Sequence, residues 1–499
     1  MRTGRRGLVG VLVATMVLTG VTLTPVAVAE EPAVDWTPCA GAEGVDCATI
    51  EVPLDWSDPD GETIHIGLAR RPAKDPANRI GSILMDPGGP GGSGVGSVIN
   101  RDPFTAEVSD RFDVVGFDPR GINTSTLLRC DDELGRQAMA ARHPANQAEF
   151  DELARLNKDL RDSCREHSGA LVDHVDNLHT VQDMDAIRRA LGEEKLSYVG
   201  YSYGSLMGQQ YAEEFPERIR AFVLDGNMDH SMKTAWDFMR SETAPVEKNF
   251  GEFAEWCDST PDCALYGLDT KAVYGDLRER ARAGELTDPE TGAPIDFYQL
   301  SQVGFGVNYP QRWGDVATLM RSLHDGTGTV TAQLAAAAEA VPNPYPAIWC
   351  ADWSYPVRDF AEYDRLRKRL ARSAPNIQWT PYVDHAMTCV GSGAETTNPQ
   401  RRLDIDDAPP IVMIGNVHDP ATVYEWNRTA AKQSGARLIT YEGWGHTIYG
   451  AGRPSACVND AVDAYLIDLR APKRGLTCPA TEQPGVSTAQ VIPLGPGPF

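Results

Sequence analysis

Short apolar runs, separated by turns rich in glycine, proline and aspartate, fill the first half of the chain. Thr49 to Trp56 and Thr63 to Arg71 read as two antiparallel strands, rich in isoleucine and valine and parted by the turn Asp58-Pro59-Asp60-Gly61. Arg79 to Met85 predicts a short strand running into a glycine-rich loop, and Phe112 to Phe117 predicts another, ending at Asp118-Pro119-Arg120-Gly121. Thr180 to Leu191 fits a helix: Thr180 is placed to cap it, and Val181, Met184, Ile187 and Leu191 share one face. A strand over Leu196 to Tyr201, a helix over Ser205 to Phe215 and a strand over Ile219 to Leu224 continue the rhythm. Such alternation predicts a mostly parallel sheet.

The pattern changes after Asn227. From residue 228 to 402 the chain is rich in helix formers and aromatics, with proline breaks such as Asn343-Pro344-Tyr345-Pro346, and reads as an inserted helical cap. The strand rhythm resumes at Pro410 to Gly415 and Ala436 to Tyr441, and a last helix is expected over Asn459 to Leu469. The expected organisation is a first core segment at 30–227, the cap at 228–402, a second core segment at 403–480 and a loose Pro/Gly-rich tail at 481–499.

The first 29 residues stand outside this pattern. Arg2, Arg5 and Arg6 precede an apolar run from Leu8 to Leu23, and Ala27-Val28-Ala29 supplies the small-x-small cleavage pattern of an export signal. The run is interrupted by Gly10, Thr15, Gly20 and Thr22, which makes it a poor membrane span, so secretion without stable membrane insertion is expected. The whole chain carries 70 acidic and 46 basic residues, a formal net charge of -24, and loss of the three signal arginines leaves it more acidic still. That charge repels nucleic acid and anionic lipid. Ten cysteines in an exported chain imply five disulfides, and neighbours along the sequence suggest Cys39–Cys47, Cys130–Cys164, Cys257–Cys263, Cys350–Cys389 and Cys457–Cys478. No C-x-x-C or histidine-rich cluster offers a metal site, so neither metal nor cofactor is expected.

The candidate chemistry lies in three loops. Gly200-Tyr201-Ser202-Tyr203-Gly204 fits G-x-S-x-G, directly after an apolar strand and directly before a helix, the context of a nucleophile elbow. A serine hydroxyl needs a base to take its proton and a carboxylate to orient that base. Asp419 and His446 follow Ser202 in the order expected for an α/β-hydrolase fold, each in a loop after a predicted strand. His385 and His418 compete with His446; the first lies in the cap and the second adjoins Asp419 too closely to bridge it to Ser202. Thr422 is placed either to bond Asp419 or to cap the next helix, and capping is the reading adopted. The loop from Asp86 to Gly94 follows an early strand, where this fold puts the oxyanion hole. Pro90 has no N–H, so the N–H of Gly89 is expected to act with that of Tyr203. A phosphate-binding reading of the loop fails, because it has two prolines and no lysine.

Taken together, PGGPGGSG at Pro87 to Gly94, FDPRG at Phe117 to Gly121, GYSYGS at Gly200 to Ser205, AIWCADW at Ala347 to Trp353 and GWGH at Gly443 to His446 give the chain a family resemblance. It resembles the secreted tripeptidyl aminopeptidases of actinobacteria, within the prolyl-aminopeptidase group of serine α/β-hydrolases. His418 to Thr422 (HDPAT) is similar to that family's DPVTP, with Ala421 in place of valine and Val423 in place of the second proline. The resemblance implies an exopeptidase that releases short peptides, typically tripeptides, from free N-termini, under a cap that recognises the substrate ammonium. Recognition of that kind needs a carboxylate, and Glu242, Glu247 and Asp352 are the candidates within the cap. A secreted carboxylesterase or lipase using the same three residues is the alternative, because fold does not fix substrate. A binding protein on an inactive hydrolase scaffold is a third reading, against which the intact Ser202, Asp419 and His446 argue.

Overall fold

The computed structural model describes Met1, residues 34–327 and residues 344–485. The expected export signal, with its arginines and its cleavage pattern, lies outside the described residues.

One ten-stranded sheet organises the chain, in the order β1-β2-β3-β5-β4-β6-β7-β8-β9-β10. Its strands are β1 Thr37–Pro38, β2 Asp46–Pro53, β3 Thr63–Arg71, β4 Gly81–Asp86, β5 Phe112–Phe117, β6 Leu196–Tyr201, β7 Ile219–Asp225, β8 Val412–His418, β9 Arg437–Trp444 and β10 Leu476–Cys478. From β5 to β10 every neighbouring pair is parallel, whereas β1, β2, β3 and β5 pair antiparallel. All six residues of β4 and of β5 are buried, as parallel strands covered on both faces require. The outer strand β2 keeps exposed positions.

Helices α1 (Gly94–Asn100) and α2 (Ala106–Arg111) follow β4, and α3 (Asp132–Ala140), α4 (Gln147–Ser168) and α5 (Asn177–Ala190) lead to β6. Helix α6 (Gly204–Glu214) follows β6. Six more described helices lie between β7 and β8: α7 Ala235–Ser259, α8 Thr270–Ala283, α9 Phe297–Phe305, α10 Trp313–Asp325, α11 Pro344–Asp352 and α12 Phe360–Ser373. Helix α13 (Tyr424–Ser434) follows β8, and α14 (Ala456–Asp468) follows β9. This is an α/β-hydrolase fold with a large helical cap. Val95 and Val98 of α1 pack with Ile83 and Val462 on one sheet face, while Leu206 and Met207 of α6 pack with Leu84 and Phe222 on the other. The cap has its own core around Phe250, Phe253, Leu277, Trp313 and Met320.

Most expected elements recur with shifted ends. β8 runs on to His418 and β9 to Trp444, past the apolar stretches, because polar residues there keep the ladder and turn their side chains to local partners: Asn416 Nδ2 donates to the Gly445 carbonyl at 2.8 Å. Helix α5 starts at Asn177, earlier than the expected Thr180, because Asp176 is the cap and accepts from the His179 N–H. The stretch between Gly121 and Thr180, unassigned from sequence, holds α3 and α4, capped by Asp131 and Asn146. All five disulfides join the expected neighbours. The first tail residues are pinned: Tyr441 Oη donates to Glu482 at 2.7 Å and the Gly485 N–H to the Pro310 carbonyl at 2.9 Å. Among the described residues no helix is long and apolar enough to cross a membrane.

Candidate active site

Strand order locates a crevice before any side chain is considered. From β4 the chain steps to β5 on one side, then returns past β4 to β6 on the other. Loops leaving β4 and β6 therefore diverge, and a gap opens at their carboxyl ends, the place where open α/β sheets bind ligands. The glycine-rich loop leaves β4 there, and Ser202 leaves β6 there.

The elbow is tight. Ser202 sits at φ 54°, a left-handed conformation that side-chain-bearing residues rarely adopt. Its N–H donates to the Asp225 carbonyl at 2.9 Å, and its carbonyl accepts from the Ser205 N–H at 2.9 Å and Oγ at 2.6 Å. A Cβ added at Gly200 would meet the Gly204 carbonyl oxygen at 2.4 Å, so the motif's glycines reflect contact between strand and helix. The loop after β4 presses on the same turn: a Cβ at Gly88 would lie 2.8 Å from the Tyr203 nitrogen. Gly88 spends its N–H on Asp86 Oδ1, at 2.8 Å. The N–H groups of Gly89 and Tyr203 make no hydrogen bond among the described residues. A second anchor holds this loop: Ser93 Oγ donates to Asp118 Oδ1 at 2.6 Å, and Asp118 also accepts from the Thr124 N–H and hydroxyl. The neighbouring Arg120 is fully buried and forms a bidentate pair with Asp183, both contacts at 2.7 Å. The FDPRG stretch is thus scaffold.

Asp419 and His446 come together from the loops after β8 and β9. His446 Nδ1 lies 3.1 and 3.0 Å from the two Asp419 oxygens. Asp419 is fully buried, and its Oδ1 also accepts from the N–H groups of Ala421 and Thr422 at 2.8 and 3.0 Å. Thr422 Oγ1 donates to Asp419 Oδ2 at 3.0 Å and lies 3.3 Å from His446 Nδ1. The capping reading of Thr422 is therefore corrected: Val423 precedes α13 without a side-chain cap, and the Thr422 hydroxyl serves the carboxylate. Burial works to lower the His446 pKa, but the charge of Asp419 and the hydrogen bond to it outweigh burial and hold it above its ordinary 6.5. His446 and Ser202 border the same turn: Ser202 is bonded to Asp225, and a Cβ on the next residue, Gly226, would lie 3.1 Å from His446 Cε1.

Asp225 was not picked out from sequence. Its Oδ2 accepts from the Ile448 and Tyr449 N–H groups at 2.7 and 2.8 Å, so it fixes the chain just beyond His446. Burial pushes its carboxyl up to about 6 against those two hydrogen bonds. Its position as the last residue of β7, beside the elbow strand, was the available signal. The competing histidines are occupied elsewhere. His418 Nδ1 pairs with Asn249 Oδ1 at 2.8 Å and its ring stacks on Trp444, while His385 lies half-buried in the cap against Tyr345 and Trp349.

The three cap carboxylates differ sharply. Glu247 is consumed by Asn376 and Ile377, accepting from both main-chain N–H groups and the Asn376 side chain. Asp352 is fully buried and accepts from the Tyr203 hydroxyl, the Asn177 N–H at 2.9 Å and Asn398 Nδ2 at 2.6 Å. It ties cap to core, with its carboxyl pushed up to about 7 by burial first and Asp176 second. Glu242 on α7 is 2% exposed, and its Oε2 has no hydrogen-bond partner among the described residues. Burial, and then the charge of Asp419, hold its carboxyl well above the usual range. A separate cavity of about 420 Å³, bordered by Arg142, Tyr345, Asp384 and His385, includes none of these strand-edge residues.

Residues 374–478 match the family described as TAP-like protein. A tripeptidyl aminopeptidase of Streptomyces lividans is 29% identical over 473 residues, covering 89% of this chain and 86% of that protein. The serine protease Hip1 of Mycobacterium tuberculosis is 29% identical over 483 residues, covering 89% of this chain and 91% of that one. Carboxylesterase B, also of Mycobacterium tuberculosis, is 29% identical over 463 residues, covering 87% of this chain and 86% of its own. The chain is an α/β-hydrolase related to peptidase-like and esterase-like enzymes, including actinobacterial tripeptidyl aminopeptidase and Hip1-like serine hydrolases.

Proposed function

We propose that this chain is a secreted serine exopeptidase that releases short peptides, tripeptides in the first instance, from free N-termini. Support for the hydrolytic step comes from the strained Ser202 elbow, the Asp419–His446 pair and the two unengaged N–H groups of Gly89 and Tyr203. The observation that carries the exopeptidase reading is Glu242, a buried carboxylate of the cap with an oxygen that no described residue satisfies. An ammonium group is the partner such a carboxylate lacks. Because burial favours the protonated form of Glu242, binding of a substrate ammonium releases a proton there.

In this mechanism the peptide lies under the cap, the segment 228–402, with its N-terminus at Glu242. His446, oriented by Asp419, takes the Ser202 proton as Ser202 attacks the scissile carbonyl. The N–H groups of Gly89 and Tyr203 stabilise the oxyanion. His446 then protonates the leaving amine, and water, activated by the same imidazole, releases the acyl group. No cofactor takes part in these steps. The acidic chain, the export signal and five disulfides support secretion.

The test is a paired assay with a free tripeptide anilide and its N-acetylated twin. Cleavage of the free form alone, releasing intact tripeptide and abolished by Ser202→Ala, is the expected result. Equal cleavage of both forms, or of simple esters only, rejects the exopeptidase reading. The esterase alternative is favoured by the carboxylesterase B relative and by the aromatic stack of Trp349, Trp353, Tyr355 and Phe238 inside the cap.

A further inference from the structure

Three side chains from separate segments converge beside the N-terminus of α5. Asp55 comes from the turn after β2, His174 from the end of the short helical turn Gly169–Asp173, and His179 from the first turn of α5. His174 Nδ1 lies 3.2 Å from His179 Nε2, and His179 Nε2 lies 3.9 Å from Asp55 Oδ1. One ligand atom from each of the three lies within 4.8 Å of the others. Sequence spacing hides the cluster, because Asp55 is contributed by a distant loop.

We propose that Asp55, His174 and His179 form a binding site for a borderline-soft divalent cation, with Zn²⁺ the best match. Two imidazole nitrogens on a tetrahedral Zn²⁺ with bonds of 2.0–2.1 Å sit about 3.3 Å apart. The observed 3.2 Å between His174 and His179 nitrogens already has that span, so only Asp55 must draw in. Two nitrogens and one carboxylate suit zinc better than calcium or magnesium, which prefer all-oxygen shells.

The surroundings are those of a supported ligand set. His179 Nδ1 lies 2.8 Å from Asp176 Oδ2, so its N–H donates there and Nε2 presents a lone pair. Asp176 is itself held by Thr397 Oγ1 at 2.8 Å and by the His179 main-chain N–H at 3.0 Å. Asp55 Oδ1 accepts from the Ser57 N–H and hydroxyl, both at 2.8 Å, which fixes its carboxylate. The charge balances as well: Asp55 and Asp176 supply two negative charges, and the nearby Arg120, which donates to the His174 carbonyl, is already neutralised by Asp183. Side-chain exposures of 20% at His179 and 36% at Asp55 leave room for water in a fourth position. Without metal, the His174 Nδ1–H faces the lone pair of His179 Nε2; with metal, His174 takes the tautomer protonated at Nε2, so that both facing nitrogens offer lone pairs to the cation.

The ion would clip the hairpin of β2 and β3 to the start of α5. It is remote from the hydrolytic chemistry in role, since none of its ligands is among the residues assigned to that reaction.

The experiment strips the mature protein with a chelator, equilibrates it with Zn²⁺, removes free metal and measures bound zinc by mass spectrometry. One zinc per chain is expected, with Co²⁺ giving the intense visible bands of a four-coordinate site. His174→Ala with His179→Ala should abolish binding, and Asp176→Asn should weaken it about 10–100-fold. Zn²⁺ should also protect His174 and His179 of the wild type from acylation by diethylpyrocarbonate, a readout that needs no variant. Substoichiometric zinc in the wild type, binding retained by the double variant, or no protection would each overturn the proposal.

Discussion

Two buried carboxylates lie within electrostatic reach of one another, Asp419 at the edge of the sheet and Glu242 in the cap, and their surroundings are opposite. Asp419 receives two main-chain N–H groups, a threonine hydroxyl and an imidazole. Glu242 Oε2 receives no donor among the described residues. A satisfied buried carboxylate is a fixed charge, positioned to hold a neighbour in one orientation. An unsatisfied one is a vacancy in the hydrogen-bond network, costly until a donor arrives. The first arrangement suits a group that works the same way in every turnover. The second suits a group whose partner enters and leaves. On this reading the sheet supplies the reaction and the cap supplies the choice of substrate.

The comparison breaks most visibly at Asp419. Asp419→Asn keeps the volume but removes the charge and favours the wrong imidazole tautomer, which should cost about 10⁴-fold in kcat. The pH profile sharpens the point. His446 must be neutral to accept a proton, and its pKa is raised, so the acid limb of kcat/KM in the wild type should lie above pH 6.5, with activity lost as pH falls through it. In Asp419→Asn the two influences of Asp419 that raise this pKa are gone, and burial, the largest single influence, outweighs the remaining pull of Asp225, so the residual activity should show a limb below 6.5. A limb that does not move would separate Asp419 from His446.

Glu242→Gln should act on a different quantity. Loss of one charge-assisted contact to the substrate ammonium is expected to raise KM about 10–100-fold for peptides with free N-termini. Hydrolysis of a simple activated ester, which carries no ammonium, should be unchanged. An equal loss on both substrates would make Glu242 part of the general scaffold and dissolve the division between sheet and cap.

The sheet side was far more legible in the sequence than the cap side. Ser202, Asp419 and His446 each follow an apolar strand, and strands buried on both faces announce themselves as uninterrupted runs such as Phe112 to Phe117. Neighbouring cysteines paired as expected, because each pair lies on segments that fold against one another locally. The cap offered three candidate acids with nothing to rank them. Glu247, Asp352 and Glu242 differ only in which donors tertiary packing brings to them, and no local pattern records that. Asp225 and the cluster of Asp55, His174 and His179 escaped for the same reason. Thr422 was misassigned because a threonine before a helix looks like a cap unless the carboxylate three residues earlier is known to turn back on it.

Thr422 offers the smallest and most discriminating effect. Its hydroxyl donates to Asp419 Oδ2 and lies close to His446 Nδ1, so it takes up part of the carboxylate charge that would otherwise act on the imidazole. Thr422→Val preserves the shape and leaves the N–H groups of Ala421 and Thr422 holding Oδ1. One donor to a charged group is lost, for an expected fall in kcat of about tenfold. The freed oxygen then acts on His446 alone, so the acid limb of kcat/KM should move further above its wild-type position, opposite in direction to the shift in Asp419→Asn. A merely structural Thr422 would lower the melting temperature and leave the limb in place. The upward shift, measured side by side with the downward one, would establish that the sheet-side carboxylate is tuned as well as held.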